Sequence, residues 1–213
     1  MEDKIILTIG RQFGSGGREI GQKLADSLGI AYYDKELMAV AARESGLCEE
    51  VFQKADERAS SSLSYAFAVG YPYMGMFTPY TDVLSNDRLF KFQSDAIRKL
   101  ASSESCVLVG RCADYILRDD PACLSFFIHS SIETRIQRII ERQDVTVEEA
   151  KELMAKTDKS RAAYYNYYTN KTWGMASSYN FSIDASVLGV DETVLFMKAF
   201  VERRKEMRPP HFG

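Results

Sequence analysis

The stretch IILTIGRQFGSGGREIGQKLADSLG, residues 5–29, contains three elements in a row. Residues 5–9 are apolar and mostly β-branched, which is typical of a buried strand. Four glycines follow (Gly10, Gly14, Gly16 and Gly17), and then Ile20, Leu24 and Leu28 recur on one face of a predicted helix. Strand, glycine-rich loop and helix is the layout of a phosphate-binding loop, because glycines let the backbone approach an anion at the helix N-terminus.

The loop departs from the usual pattern GxxxxGK[ST]. When Gly14-Ser15-Gly16 is aligned with the GSG of a second form of this loop, GPSGSGKGT, Gly17 stands at the lysine position and Arg18 follows one place late. Glu19 stands where a hydroxyl residue is expected, and Arg11 stands at the first glycine. A tight turn between a strand and a helix is therefore the competing interpretation of this loop.

Composition indicates a globular domain. The chain has 213 residues, of which 46% are hydrophobic and 27% charged, and this suits one α/β domain. A net charge of −3 argues against a protein that coats nucleic acid. The four cysteines are widely spaced without a metal-binding pattern, and no signal peptide or membrane-length apolar stretch is evident. We therefore expect a soluble cytoplasmic protein that binds neither polymeric nucleic acid nor membrane.

Strand and helix patterns alternate along the rest of the chain. Short apolar runs at 30–34, 106–109, 123–128 and 179–184 predict strands. Helices are predicted over 34–45, 49–59, 86–102, 112–118, from a Ser130/Glu133 capping box to Arg142, from a Thr146/Glu149 capping box toward Tyr168, and over 191–205. This order, without hairpin signals, predicts a parallel sheet with helices on both faces.

One irregular segment interrupts the pattern. Residues 60–85 are rich in Ser, Gly, Pro, Tyr and Met, and a loop of this length in a compact domain is usually functional. A flap over a ligand is the favoured interpretation. A homo-oligomer contact through the aromatic residues of 65–80 is the alternative.

Polar residues follow the predicted strands at the edge where ligands bind in open parallel sheets. Asp34 follows the second strand, Gly110-Arg111 the third and His129-Ser130 the fourth. Arg111 could hold a phosphate with both arms of its guanidinium, or it could be a surface arginine or part of a structural ion pair.

Two helices between the last strands carry more cations. Arg135, Arg138 and Arg142 share one helix face, which is most often a solvated, ion-paired face. Lys156, Lys159 and Arg161 precede Tyr164, Tyr165, Tyr167 and Tyr168 on the next helix. Residues of about 145–175 could form a lid over phosphates, although the tyrosines alone would suit packing or an oligomer contact equally well.

With these segments in order, the chain resembles the cytidylate kinase-like family within the nucleoside monophosphate kinase branch of P-loop proteins. The resemblance rests on IGRQFGSGGREIGQKLADSLGIAYYDKELM, CVLVGRCADYIL, DKSRAAYYNYY and SYNFSIDAS, which follow the family's order and extend from residue 9 to residue 186. It implies one P-loop NTPase-type α/β domain over 1–213 with a helical lid.

The resemblance also implies roles for residues. Gly14, Ser15, Gly16, Gly17 and Arg18 would cradle the donor phosphates, and Asp34 and Arg111 would bind the acceptor. Arg161, with Arg135 or Arg138 nearby, would surround the transferring group, so that Arg18, Arg111 and Arg161 are the candidate catalytic residues. Two positions depart from the family pattern: Val40 replaces an acceptor-site arginine, and Cys112 replaces the aspartate of the GRD motif.

The sequence thus predicts ATP- and Mg²⁺-dependent phosphoryl transfer to a nucleoside monophosphate such as CMP. The metal ligands stay open. Two alternatives follow from the departures: a nucleotide-binding or sensing module with little kinase activity, or a kinase of the same fold for another small metabolite.

Overall fold

A central parallel sheet organises the part of the chain that the computed structural model describes, residues 4–34 and 82–207. Its strands are β1 (Ile6–Arg11), β2 (Ala31–Tyr33), β3 (Cys106–Val109), β4 (Cys123–His129) and β5 (Phe181–Asp184). The strand order is β2-β3-β1-β4-β5, and Ile6 at the start of β1 pairs with both Cys106 and Cys123. The predicted α/β class with a parallel sheet is confirmed.

Helices cover both faces of this sheet, as predicted. They are α1 (Gly17–Leu28), α2 (Asp82–Ser103), α3 (Ala113–Ile116), α4 (Ile132–Gln143), α5 (Val147–Thr169) and α6 (Ala185–Glu206), with a 3₁₀ turn at Ala176–Ser178. Helices α1 and α6 share one apolar core with the sheet, whereas α2, α3 and α5 share the other. Within the described residues, none of the helices is long and apolar enough to cross a lipid bilayer.

The alternation of side chains along β1 decides what reaches the site. Leu7 and Ile9 are buried on the face covered by α1 and α6, whereas Ile6 packs on the opposite face. Because side chains two residues apart point the same way, Arg11 follows Leu7 and Ile9 on the α1 face. The last residue of the central strand therefore places its side chain under the start of α1.

Of the two predicted capping boxes, one is wrong and the other is confirmed. The capping box predicted at Ser130 and Glu133 is wrong: the N-cap of α4 is Ser131, whose Oγ accepts a hydrogen bond from the Thr134 amide at 3.3 Å. The box at Thr146 and Glu149 is confirmed, since each residue's side chain accepts from the other's amide.

Helix α6 begins earlier than the predicted residue 191. Asp184 caps it by accepting a hydrogen bond from the Ser186 amide at 2.9 Å, and Gly189, with φ +74° and ψ −179°, interrupts its first turns. Helix α2 also begins earlier, at Asp82, so that residues 82–85 of the predicted irregular segment are helical. The rest of that segment and the helices predicted over 34–45 and 49–59 lie outside the described residues, except for Asp34 itself.

Candidate active site

A tight glycine loop joins β1 to α1. Gly14 and Gly16 have φ of +78° and +84°, a backbone conformation that residues with a Cβ rarely adopt. Gly16 is also the N-cap of α1. Ser15 is fully buried in the loop, where its hydroxyl donates to the Gln12 carbonyl at 2.9 Å and accepts from the Gly17 amide at 3.3 Å. Ser15 therefore shapes the loop, with its hydroxyl already engaged on both sides.

The loop also carries backbone amides that have no acceptor among the described residues. Within the described residues, the amides of Gly14, Gly16, Arg18 and Glu19 have no hydrogen-bond acceptor. Such a run of amides at a helix N-terminus, where the helix dipole is positive, attracts anions.

Arg138 brings a cation to the Gly16 end of this loop. A Cβ on Gly16 would lie 2.5 Å from Nη1 of Arg138, so the guanidinium lies directly against the loop. This Nη1 is buried and has no hydrogen-bond partner among the described groups. A buried N–H group without an acceptor costs free energy, which an anion in the loop would recover.

Helix α5 contacts the glycine loop through the Asp158 side chain. Asp158 accepts a hydrogen bond from the Phe13 amide at 2.8 Å, and its other oxygen accepts from Nη2 of Arg135. The Nε of Arg135 donates to the Phe13 carbonyl at 2.7 Å, and Arg135 is only 5% exposed. The structure therefore places Arg135 in a buried ion pair that joins α4, α5 and the loop.

Arg161, one turn after Asp158, contacts the end of β1. Its Nη1 donates to the Arg11 carbonyl at 3.0 Å, and its guanidinium lies 5.6 Å from the centre of the Phe13 ring. Burial is the main reason why its pKa is lowered to about 9; the Arg11 cation lowers it further, whereas Asp158 and Asp34 oppose this. Arg161 still carries its charge at neutral pH.

Asp34, at the end of β2, lies beside two arginines, of which the sequence predicted only Arg18 as a site residue. Its Oδ2 lies 2.8 Å from Nε of Arg18, and its Oδ1 lies 3.7 Å from Nη2 of Arg11. Asp34 is 7% exposed, whereas the Arg18 side chain is 61% exposed. The structure thus places Arg18 toward Asp34 on the β2 side of the loop, and Arg138 is the guanidinium that lies against Gly16.

Arg111 enters the site from the end of β3 through an unusual backbone. Gly110, Arg111 and Cys112 have φ of +81°, +57° and +57° in succession. Left-handed conformations at non-glycine residues are strained and concentrate at functional sites. Arg111 is close enough to Arg11 to lower the pKa of that guanidinium, which burial lowers most and Asp34 raises.

Glu19, at the expected hydroxyl position, is paired with one basic residue of α4 and one of its own helix. Its carboxylate lies 2.5 Å from Nη2 of Arg142 and 3.5 Å from Nζ of Lys23. Across residues 4–34 and 82–207, no group of three or more His, Cys, Asp or Glu side chains is placed to hold a metal ion.

Sequence reasoning missed the parts played by three acidic residues. Asp158 clamps the loop, Glu19 pairs with α4, and Asp114 accepts a 2.7 Å hydrogen bond from the Tyr165 hydroxyl, which ties α3 to α5. The spacing of Asp158 and Arg161 was visible in the sequence. The sequence did not show that both residues contact the segment around the glycine loop, Asp158 through the Phe13 amide and Arg161 through the Arg11 carbonyl.

These features define a P-loop kinase: a parallel sheet, a glycine loop at the N-terminus of the first helix, and arginines gathered at the carboxyl ends of the strands. The chain belongs to the cytidylate kinase-like family, whose model matches residues 6–187. A cytidylate kinase from Methanopyrus kandleri is 24% identical over 97% of both chains. A cytidylate kinase from Pyrococcus horikoshii is 25% identical over 78% of this chain and 73% of that protein.

Solved structures agree with this fold. An uncharacterized protein from Eubacterium ventriosum superposes with a TM-score of 0.69 at 30% identity, covering 93% of this chain and 99% of that one. Shikimate kinase from Acinetobacter baumannii superposes with a TM-score of 0.53 at 13% identity, covering 96% of both chains, which supports the fold alone.

The clamp on the loop leads to a prediction about stability. Replacing Asp158 by Ala leaves the Arg135 charge buried and unpaired, and we expect the free energy of unfolding to fall by ~3–5 kcal/mol. Glu206→Ala is the matched control, because it breaks an exposed pair with Arg203 at 2.7 Å and should cost less than ~1 kcal/mol. Urea unfolding of the two variants measures the difference, and equal losses would show that the clamp does not stabilise the fold.

Proposed function

We propose that this protein transfers the terminal phosphoryl group of ATP to a nucleoside monophosphate, with CMP as the favoured acceptor. The observation that carries this is the anion cradle at the start of α1, where loop amides and the buried Nη1 of Arg138 lack acceptors among the described groups. The family supports a phosphotransferase acting on nucleotides, and the names of the relatives support CMP.

The donor phosphates fit the residues around the loop. Gly14, Ser15, Gly16 and Gly17 form the backbone cradle, and Arg138 contributes a charged donor that reaches it. Arg135 supports this cradle indirectly, through its bond to the Phe13 carbonyl. Mg²⁺, which screens the charge of the phosphates when bound, would be held mainly by phosphate oxygens and water, in agreement with the absence of an acidic cluster from the described residues.

The acceptor belongs at the neighbouring strand ends. Asp34, Arg18 and Arg111 lie at the ends of β2 and β3 and the start of α1, where open parallel sheets bind their ligands. Because an acceptor phosphate is already anionic, the reaction needs no general base. Catalysis then depends on alignment of the two phosphates and on neutralisation of their charge, which Arg111 and Arg161 are placed to supply.

A screen of acceptors tests the function. ADP release coupled to an indicator reaction is measured with ATP, Mg²⁺ and each nucleoside monophosphate, and with small alcohols that include shikimate, while calorimetry follows ATP binding. We expect turnover with CMP above that with the other acceptors. ATP binding without turnover would instead support a nucleotide-binding module. The absence of the loop lysine and the pairing of Glu19 with Arg142 and Lys23 favour this alternative. Turnover only with an alcohol would identify a metabolite kinase.

The position of Arg138 predicts how ATP affinity depends on it. A hydrogen bond to a charged group contributes ~1.5–3 kcal/mol, so Arg138→Ala should weaken ATP binding by roughly 10- to 100-fold. Arg98→Ala is the control, since Arg98 is an exposed residue of α2 that pairs only loosely with Asp95, at 3.7 Å. Calorimetric titration with ATP measures both variants, and unchanged affinity in Arg138→Ala would remove this arginine from the donor site.

A further inference from the structure

The two glycine-loop departures at positions 11 and 17 lie against each other. A Cβ on Gly17 would lie 2.6 Å from the Cβ of Arg11 and 3.1 Å from the Cβ of Ile128. Both neighbours are the first atoms of side chains on central strands, so neither can rotate out of the way. A lysine at position 17, which the usual pattern requires, is therefore incompatible with an arginine at position 11.

The Arg11 side chain uses the space that Gly17 leaves. Its Cγ passes 3.3 Å from the Cβ position of Gly17, and its Nη1 lies in the space that a Cβ on Gly110 would fill. Glycine at both positions thus opens a channel from β1 toward the end of β3. The guanidinium emerges beside Asp34, between the phosphate loop and the proposed acceptor residues.

Positive charge exceeds negative charge around this guanidinium. Arg11 shares the single carboxylate of Asp34 with Arg18. Two further cations lie near Arg11: Arg111 lowers the pKa of Arg11, and Arg11 in turn lowers the pKa of Arg161. Asp158, the carboxylate that acts on Arg161, is already paired with Arg135. A buried cation with this surplus around it is an electrostatic site for an anion.

Resting on the function proposed above, we propose that Arg11 replaces the loop lysine as the cation that holds the transferring phosphoryl group, with Gly17 as the space its side chain requires. In the reaction, an acceptor phosphate oxygen forms a bond to the γ-phosphorus while the bond from that phosphorus to the β–γ bridging oxygen breaks. The bridging oxygen leaves with the electron pair as part of ADP. Arg11 keeps its proton throughout and neutralises charge on the moving group.

Exchange of the two residues tests this directly. Arg11→Gly should lower kcat at least ~100-fold, because a phosphate-clamping arginine contributes ~10³–10⁵ in related enzymes. Gly17→Lys alone should lower the Tm because of the clash with Arg11. The double variant, which combines Arg11→Gly with Gly17→Lys, should recover most of the Tm lost by Gly17→Lys, since only the 3.1 Å contact with Ile128 remains. It should also recover part of the kcat lost by Arg11→Gly.

Two further readouts separate charge from structure. Millimolar guanidinium chloride should raise kcat of Arg11→Gly several-fold while leaving the wild-type rate unchanged, which a purely structural role would not produce. Arg203→Ala, which replaces an exposed and ion-paired arginine of α6, should keep wild-type kcat.

Each result decides the inference. Wild-type turnover together with full activity of Arg11→Gly would overturn it while leaving the proposed function intact. A Tm of Gly17→Lys equal to that of the wild type would overturn the steric exchange, and this readout holds even if no acceptor is phosphorylated. Absence of wild-type turnover with every acceptor would contradict the proposed function instead, and with it the catalytic part of the exchange.

Discussion

A buried ion pair between Arg135 and Asp158 determines the shape of the site. The two residues come from α4 and α5, and both also bond to the backbone of Phe13 in the glycine loop. Since the charges are mostly out of water, neither partner can leave without a large cost. The pair therefore keeps α5 seated on the loop and brings the next turn of α5, with Arg161, onto the end of β1.

The positive charges around the glycine loop have an unusual distribution. A single lysine normally stands within the loop and reaches the phosphates. Here the cations come from outside the loop's centre: Arg138 from α4 on the Gly16 side, and Arg11 from the end of β1 on the Asp34 side. Positive charge therefore lies on two sides of a glycine loop that has no lysine of its own.

The sheet and its helices were predictable because apolar periodicity and glycine positions report local structure directly. The run at 106–109 became β3 with the same bounds, and the Thr146 cap formed as predicted. The start of α6 was missed because the sequence before residue 191 lacks a clear apolar stripe and Gly189 interrupts the helix. Local pattern could not show this start, nor that Ser131 rather than Ser130 caps α4.

The sequence predicted where the candidate site residues lie in the fold, but not which residues contact each other. The rule that ligands bind at the ends of parallel strands placed Asp34 and Arg111 at one edge. Which arginine reaches which group depends on packing between distant segments, so the pairing of Arg18 with Asp34 could not be read from the loop. The fit of Arg11 against Gly17 likewise depends on the close approach of β1 to α1, where a Cβ on Gly17 would lie 2.6 Å from the Cβ of Arg11. Spacing in the sequence does not report this distance.

A crystal structure with a non-hydrolysable ATP analogue and CMP tests the central claim most directly. We expect donor phosphates in the glycine loop, with Nη1 of Arg138 within hydrogen-bond distance of a phosphate oxygen and the Arg11 guanidinium beside the γ-phosphate. Phosphates bound away from the loop, or Arg18 folded onto them while Arg138 and Arg11 make no contact, would contradict it.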